Sequence, residues 1–566
     1  MSAGSGRKPR IYDAVYGYVE LDDAEFRLVN TAIFQRLHWI KQLGPLHIVF
    51  PSAQHSRFSH SIGVFYIAKK MIEHLQRLDQ GNSKYGYTFD ENEDRILKFA
   101  ALLHDIGHVP LSHIGECVLR HSVDANTNQE HEEQQAATGL DLLTTGVRPS
   151  GEAWQQLFNE GGYYCTRTKL HESLSAEIVV HDEEIDKVLS MVWHTKSTRE
   201  EFKRRIAQTI VGQDLSDIPT VLLHSELDAD RLDYLLRDSF FTGVGYGQVD
   251  LDYIISRLVI FRKSEDDHGD LCVEHKGFHT VEHYILGRFF LQTQVIYNRK
   301  VRCLDLLFED VMGYMLRKNA PKEHRLMNLS EFVDCIRAAK GAKKREYLHQ
   351  IYSYTDAEVF TKMRALHEYL DDREKAETAS DEELYINDCI KTIMDGGVRD
   401  PAFHTCHMLV DRRKMKGYED DLEREANEIA KDVAARLNIY RPRIKISFRS
   451  QEVMKYRRTL ATVDDNGTHN NMSVTSGMGG EPNAEAVRII LQTPRGEDKQ
   501  MFAGESNATI LRDLSDKALL QFNCYYVQSK KAEASDIQAV EAKIAIAFAD
   551  YRERRFGQTQ NGLQND

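Results

Sequence analysis

Apolar and polar positions alternate over Ile11–Leu21, where β-branched and aromatic residues predict a short strand or hairpin. Asp22 and Asp23 follow as caps for a helix from about Ala24, and Ile33, Leu37 and Ile40 extend helical spacing across Val29–Gln42. Helical periodicity then dominates to about residue 440. Ser61–Leu78, Glu91–His108, Ser173–His194, Thr220–Asp238 and His279–Lys318 are the main stretches, continued by Ser330–Leu370 and Asp381–Met394. The acidic run Asp371–Asp388 reads as a solvated face or turn. A polar segment between Asp124 and Gly151, with a loop or hairpin at Gly161–Thr168, reads as an insertion. Past Tyr440 the pattern changes. Ile444–Phe448, Val487–Gln492 and Cys524–Gln528 alternate like strands, Asp464–Glu485 reads as a mobile loop, and Ala534–Arg554 is an amphipathic helix. The expected fold is mainly α: a flexible tail (1–10), a helical core (11–300, with an insertion at 120–170), a helical extension (301–439) and a smaller α+β C-terminal lobe (440–566).

Composition narrows the function classes. The 566 residues are 42% hydrophobic and 28% charged, as in an ordinary globular protein long enough for several domains. A net charge of −14 argues against a nucleic-acid-coating role, although a local basic cluster can still hold a small anion. The 8 cysteines are scattered without a Cys-x-x-Cys pair, which fits neither a disulfide framework nor a thiolate zinc site. No apolar run is long enough for a membrane span, and the N-terminus lacks an apolar signal core. The expected location is therefore the cytoplasm.

Candidate chemistry centres on Ile96–His113. An apolar helical run delivers His104 and Asp105, with His108 one turn on and His113 beyond Pro110, which cannot continue the ladder. A carboxylate at the end of a buried helix needs an ion pair, hydrogen bonds or a metal. His60, with Arg57 three residues earlier, opens a second apolar helix whose N-terminus suits phosphate. Asp230, Tyr234 and Asp238 fall at i, i+4 and i+8 of a third, close to Arg231 and Arg237. A salt-bridged surface helix would carry the same residues. A second His-Asp pair, His181-Asp182, lies in an acidic stretch and reads as helix surface. Two histidines and two aspartates, all N and O donors, suit a first-row divalent ion or magnesium, which activates water and polarises a phosphoryl oxygen.

Five ordered blocks carry a resemblance over Ile11 to about Lys300. They are Phe34-Gln35-Arg36-Leu37 with Lys41-Gln42-Leu43-Gly44; Arg57-Phe58-Ser59-His60-Ser61-Ile62-Gly63-Val64; Leu103-His104-Asp105-Ile106-Gly107-His108-Val109-Pro110-Leu111-Ser112-His113; His131-Glu132; and Asp228-Ala229-Asp230-Arg231-Leu232-Asp233-Tyr234 through Arg237-Asp238. Together they resemble the HD-domain phosphohydrolases, and among these the deoxynucleoside triphosphate triphosphohydrolases related to the sterile-alpha-motif/HD-domain antiviral enzyme. The resemblance implies His60, His104, Asp105 and Asp230 as metal ligands, for Mn, Fe, Mg, Zn, Co or Ni. It implies His113 and His131 as acid/base histidines, with Glu116 orienting one of them. Arg57, His108 and Arg231 would hold the triphosphate, while Gln42, Tyr234 and Asp238 would face the sugar. The implied reaction is water attack at the α-phosphorus of a dNTP, releasing a deoxynucleoside and tripolyphosphate. It also implies a homo-oligomer and admits a second nucleotide as activator. An HD phosphodiesterase or nuclease acting on single strands or a cyclic nucleotide is the alternative; nucleic acid is the less favoured partner and a membrane is not one. Two positions depart from the pattern. Tyr16-Gly17 stands where the family has His-Gly, and in Arg288–Tyr297 the family's aromatic is replaced by Ile296 or displaced to Tyr297.

Overall fold

The computed structural model describes residues 8–80, 85–127, 153–159, 169–262, 269–317, 320–338, 344–395, 403–411, 419–437, 440–452, 461–463, 469–471, 488–492, 498–502, 517–527, 542–543 and 546. His131, most of the insertion expected at 120–170, most of the Asp464–Glu485 loop and most of the helix expected at Ala534–Arg554 lie outside the described residues.

The chain folds as expected into a mainly helical body. Strands β1 (Arg10–Asp13) and β2 (Gly17–Glu20) form an antiparallel hairpin in register Arg10 to Glu20. Helix α1 (Asp23–Val29) starts on a capping box in which Asp22 and Glu25 each bond the other's backbone N–H. The continuous helix expected over Val29–Gln42 does not form. The chain turns at Asn30 and Thr31 and continues as a four-residue α-helical turn and a 3-10 turn, Arg36–Trp39. Only Ile33, Phe34 and Leu37 there meet the core, so short turns bury them as well as a helix would.

Helices α2 (Arg57–Gln80) and α3 (Glu91–Leu103) pack side by side, with Asp90 capping α3. Helix α3 ends before His108, since Gly107 approaches a neighbouring backbone too closely for any side chain. A Cβ at Gly107 would lie 2.4 Å from the carbonyl oxygen of His171 and 2.3 Å from Ser175 N. Helix α4 (His113–Thr127) comes next. The Ser173–His194 stretch is two helices, α5 (Leu170–His181) and α6 (Glu183–Val192). Asp182 is not at a helix surface. It is buried at the break and accepts a hydrogen bond from Ile185 N. Helix α7 (Lys196–Ile210) packs on α3 and α5, and α8 (Ala229–Thr242) packs on α2. A short helix, Ile218–Val221, precedes α8, so Thr220–Asp238 is likewise interrupted.

A hairpin of β3 (Leu258–Phe261) and β4 (Asp270–Glu274), not expected from the sequence, leads to α9 (Phe278–Leu291). A π-helical turn over Gln292–Ile296 separates α9 from α10 (Arg299–Met315). Helices α11 (Asp356–Lys375) and α12 (Asp381–Met394) belong to the extension, and α10 packs against both α12 and α4. In the C-terminal part, β5 (Phe403–Asp411), β6 (Ile444–Glu452) and a later strand, Lys517–Tyr526, form an antiparallel sheet with the last in the centre. The lobe's sheet thus draws on residues either side of 440. Strand Arg488–Gln492 pairs in parallel with β4, Val273 to Ile489, so the lobe also extends a sheet that begins in the core. None of the described helices is long and apolar enough to cross a membrane.

One buried ion network joins hairpin to helices. Arg237 on α8 donates to Asp13 at 2.8 Å and to both oxygens of Asp233 at 2.8 and 3.0 Å, with no exposure of its own. Gly63 on α2 makes room for it, since a Cβ there would lie 1.9 Å from Asp233 Oδ1. Arg237→Met, which keeps the volume and strands two carboxylates, is expected to cost about 3–5 kcal/mol of stability, read as a shift in the urea midpoint.

Candidate metal centre and substrate cavity

Three helices and one turn bring four of the expected ligands together. His60 lies in the first turns of α2, His104 and Asp105 at the end of α3, and Asp230 in the first turn of α8, which Asp228 caps through Arg231 N at 2.6 Å. His60 Nε2 is 3.0 Å from Asp230 Oδ1 and 3.7 Å from Asp105 Oδ2. His104 Nε2 is 3.4 Å from His60 Nε2, 3.4 Å from Asp105 Oδ1 and 3.9 Å from Asp230 Oδ1. Ligands about 2.1 Å from a common ion sit ~3.0–3.5 Å apart, so these donor atoms have nearly the spacing a divalent cation needs.

The surroundings prepare each donor. His60 Nδ1 donates to Asp233 Oδ2 at 2.7 Å, and His104 Nδ1 donates to the carbonyl oxygen of Ala101 at 2.9 Å. Each bond places a proton on Nδ1 and turns Nε2 inward, the arrangement of metal-binding imidazoles; without a cation, His60 Nε2 keeps its own proton and donates to Asp230 at 3.0 Å. Arg57 donates to Asp105 at 2.6 Å and fixes its carboxylate. The cluster is strongly negative. Burial opposes a charge on His60, yet the bonds to Asp230 and Asp233 raise its pKa to about 10. Burial also works against Asp105, but Arg57 beside it holds the carboxyl well below the ordinary range. The residues present therefore fit a divalent cation, and this His/Asp cluster is able to hold one.

Next to the centre three imidazoles surround Glu116, which is fully enclosed on α4. His171 Nδ1 donates to both Glu116 oxygens at 3.0 and 3.1 Å, His108 Nδ1 lies 2.7 Å away, and His113 Nδ1 lies 3.5 Å away. The rings of His108 and His171 stack at 3.8 Å. Burial, Arg57 and His171 lower the His108 pKa to about 3, so this ring is neutral at physiological pH. The His113 ring is 70% exposed to the cavity it lines; that enclosed setting lowers its pKa while Glu116 pulls it back up.

His171 was not among the residues expected from sequence. Its signal is a His-Glu pair at the head of a helix, the same local signal as His131-Glu132. Asp233 was missed too, although a carboxylate set among leucines with no exposure signals a buried partner.

A cavity of about 450 Å³ reaches the cluster at Asp230. His113, Gln42, Tyr234 and Asp238 also line it. Lys169, Arg231 and Arg288 bring positive charge to it. Glu226 bridges the two arginines, 2.7 Å from Arg231 Nη1 and paired with Arg288. Gln42 Oε1 is buried without a hydrogen-bond partner, and Asp238 accepts from His55 Nε2 at 2.8 Å. Arg57, expected at the phosphates, is almost wholly buried; it donates to Asp105, Ser112 Oγ and the Gln42 carbonyl oxygen. Ile296 and Tyr297 both reach the cavity, because the π turn carries them there. Tyr16 stacks on Tyr66 at 4.7 Å with the Arg237 guanidinium 5.6 Å from its centre, a structural site.

Comparison with known proteins agrees with this geometry. The HD domain family model matches residues 57–142. The chain is similar to the uncharacterized protein YwfO of Bacillus subtilis, 29% identical over 301 residues, or 53% of this chain and 54% of that one. It is similar to the deoxynucleoside triphosphate triphosphohydrolase SAMHD1 homolog of Dictyostelium discoideum, 28% identical over 291 residues, or 51% and 46% of the two chains. The match spans about half the length of these curated relatives. The crystal structure of a phosphohydrolase from Bacteroides thetaiotaomicron shares the fold, with a TM-score of 0.53 at 18% identity over 92% of this chain and 100% of that one. With its ligand cluster and these relatives, the chain carries an HD domain over residues 57–142 and is similar to SAMHD1 and other HD-domain proteins.

Proposed function

We propose that this protein is a metal-dependent triphosphohydrolase that cleaves dNTPs at the α-phosphorus, giving a deoxynucleoside and tripolyphosphate. The observation that carries the reading is that one cavity is lined together by Asp230 of the His/Asp cluster, three cationic side chains, and Tyr234 and Asp238. Its length suits a nucleotide: Asp230 and Asp238 are eight residues apart on α8, or ~12 Å at 1.5 Å per residue.

His60, His104, Asp105 and Asp230 would hold the cation, which supplies Lewis acidity at a phosphoryl oxygen and lowers the pKa of water. Arg231, Arg288 and Lys169 bind the triphosphate, and Glu226 keeps the two guanidiniums in one orientation. Arg57 acts from behind by holding Asp105, and His108, being neutral, contributes an N–H or a lone pair rather than charge. Tyr234 crowds the sugar's 2′ position, while Gln42 and Asp238 read the 3′-hydroxyl, which donates its one proton to Asp238. His113 protonates the departing oxygen. His171, oriented by Glu116, takes the second acid/base role expected of His131. Homo-oligomerisation goes with this reading, as for the family it resembles.

A nucleotide panel in Mn²⁺ with chromatographic identification of products tests the proposal. Deoxynucleoside and tripolyphosphate are expected; release of only phosphate or pyrophosphate, or cleavage of single-stranded DNA in place of dNTPs, would sink it. Chelation is expected to abolish turnover reversibly, and His104→Ala/Asp105→Ala to abolish it in every divalent metal. Glu116→Gln is expected to lower kcat by roughly 10²-fold. Glu116 raises the His113 pKa, so its loss lowers that pKa and the proton donor is depleted sooner as pH rises. The alkaline limb of the pH–rate profile should accordingly move to lower pH.

A further inference from the structure

We propose that Asp356, in the helical extension far outside the HD motifs in sequence, is a positioning residue that holds the loop between the metal centre and His113 in its working shape. Leu111 and Ser112 in that loop have φ of 60° and 54°, the left-handed region that neither residue favours. Such a pair persists only where its surroundings over-determine it. Ser112 Oγ donates to the carbonyl oxygen of Lys41 at 2.7 Å and accepts from Arg57 at 2.9 Å, which secures one side. The other side is secured from the extension. Asp356 Oδ1 accepts from Leu111 N at 2.7 Å and Oδ2 from Lys41 N at 2.9 Å. One buried carboxylate thus ties together the two strands of chain that flank Ser112.

The placement of that carboxylate is itself reinforced. Asp356 is the first residue of α11, and its side chain serves Leu111 and Lys41 while Thr355 at the N-cap makes no side-chain cap. Two residues earlier the carbonyl oxygen of Tyr354 accepts from Arg36 Nε at 3.0 Å, and Arg36 Nη1 reaches the Ile106 carbonyl oxygen at 3.3 Å. The extension therefore reaches the HD turn at Ile106 through Arg36 and the following loop at Leu111 directly, on both sides of His108. Within the loop Ser112 N bonds the Val109 carbonyl oxygen at 3.0 Å, which closes the turn. Asp356 adds the anchor from outside, fixing Leu111 N against Lys41 N.

The proposal predicts a separation of effects. The metal ligands His60, His104, Asp105 and Asp230 lie outside the clamped loop, whereas His113 and the Ser112 support of Arg57 lie within it or beside it. Asp356→Asn keeps the shape but sets an amide NH₂ against one of the two backbone N–H groups. In the full-length, Mn²⁺-loaded protein, hydrogen exchange at Leu111 is expected to accelerate by about tenfold or more. The Mn²⁺ dissociation constant is expected to stay within about threefold, short of the roughly 10–100-fold that loss of a ligand's supporting partner costs. The turnover arm rests on the triphosphohydrolase reading: kcat should fall by about tenfold or more while KM changes far less. Should Asp356→Asn not accumulate folded, Asp356→Glu, which keeps both acceptors and moves them by one methylene, is read in the same way. Unchanged exchange at Leu111, or a loss confined to Mn²⁺ affinity, would overturn the clamp. If the wild-type protein leaves dNTPs intact, the proposed function fails while the exchange and Mn²⁺ measurements still decide this inference.

Discussion

The structure depends on the cost of burying carboxylates. Asp13, Asp105, Asp233, Asp238 and Glu116 are all buried, and each would be prohibitive without a partner. The solution is a relay of opposite charges and hydrogen bonds. Asp13 is answered by Arg237, Asp233 by Arg237 and His60, Asp105 by Arg57, and Glu116 by His171. Among the described residues the relay converges on Asp105 and Asp230, toward which His60 and His104 both turn Nε2. Two carboxylates and two inward ring nitrogens thus meet at one spot, which suits it to a cation.

Because the charges are shared, the elements that supply them cannot be moved independently. The N-terminal hairpin contributes Asp13, α2 contributes Arg57 and His60, and α8 contributes Asp233 and Arg237. A rotation of any of these by one residue would strand a charge in the interior. Gly63 and Gly107 are the complementary constraint, since each gives up a side chain so that a polar neighbour can approach its backbone. Orientation at the centre is consequently built into the packing, and no flexible loop has to carry it.

Much of this was legible in the amino-acid sequence because the polar residues concerned sit in apolar surroundings. His104 and Asp105 end an apolar helix, His60 opens another, Asp230 is marked by the ordered blocks of the resemblance, and all four meet in space. The hairpin with its Asp22 cap was legible for the same reason, as local chemistry that needs no distant partner. What escaped was set by tertiary contact. Ile33 and Leu37 have helical spacing, yet the core accepts them from short turns instead. The break at Asp182, a buried cap, and the close approach at Gly107 depend on neighbours that composition does not reveal. His171 carries a local signal like that of His131, which lies outside the described residues, and its partnership with Glu116 emerges only in the fold. Arg57 reads as a phosphate ligand until Asp105 is seen to claim it.

The π turn at Gln292–Ile296 has a consequence for how such a protein can diversify. A π turn accommodates one residue more than an α-helix of the same span, and that residue advances everything beyond it by about 100° around the axis. The turn lies in the cavity wall, where Gln292, Ile296 and Tyr297 all line the cavity. Inserting or deleting a single residue there would exchange the side chains of this wall while leaving His60, His104, Asp105 and Asp230, which other elements carry, in place. Single-residue length changes in one helix are thus a route by which this scaffold can acquire new substrate preferences without rebuilding its chemistry.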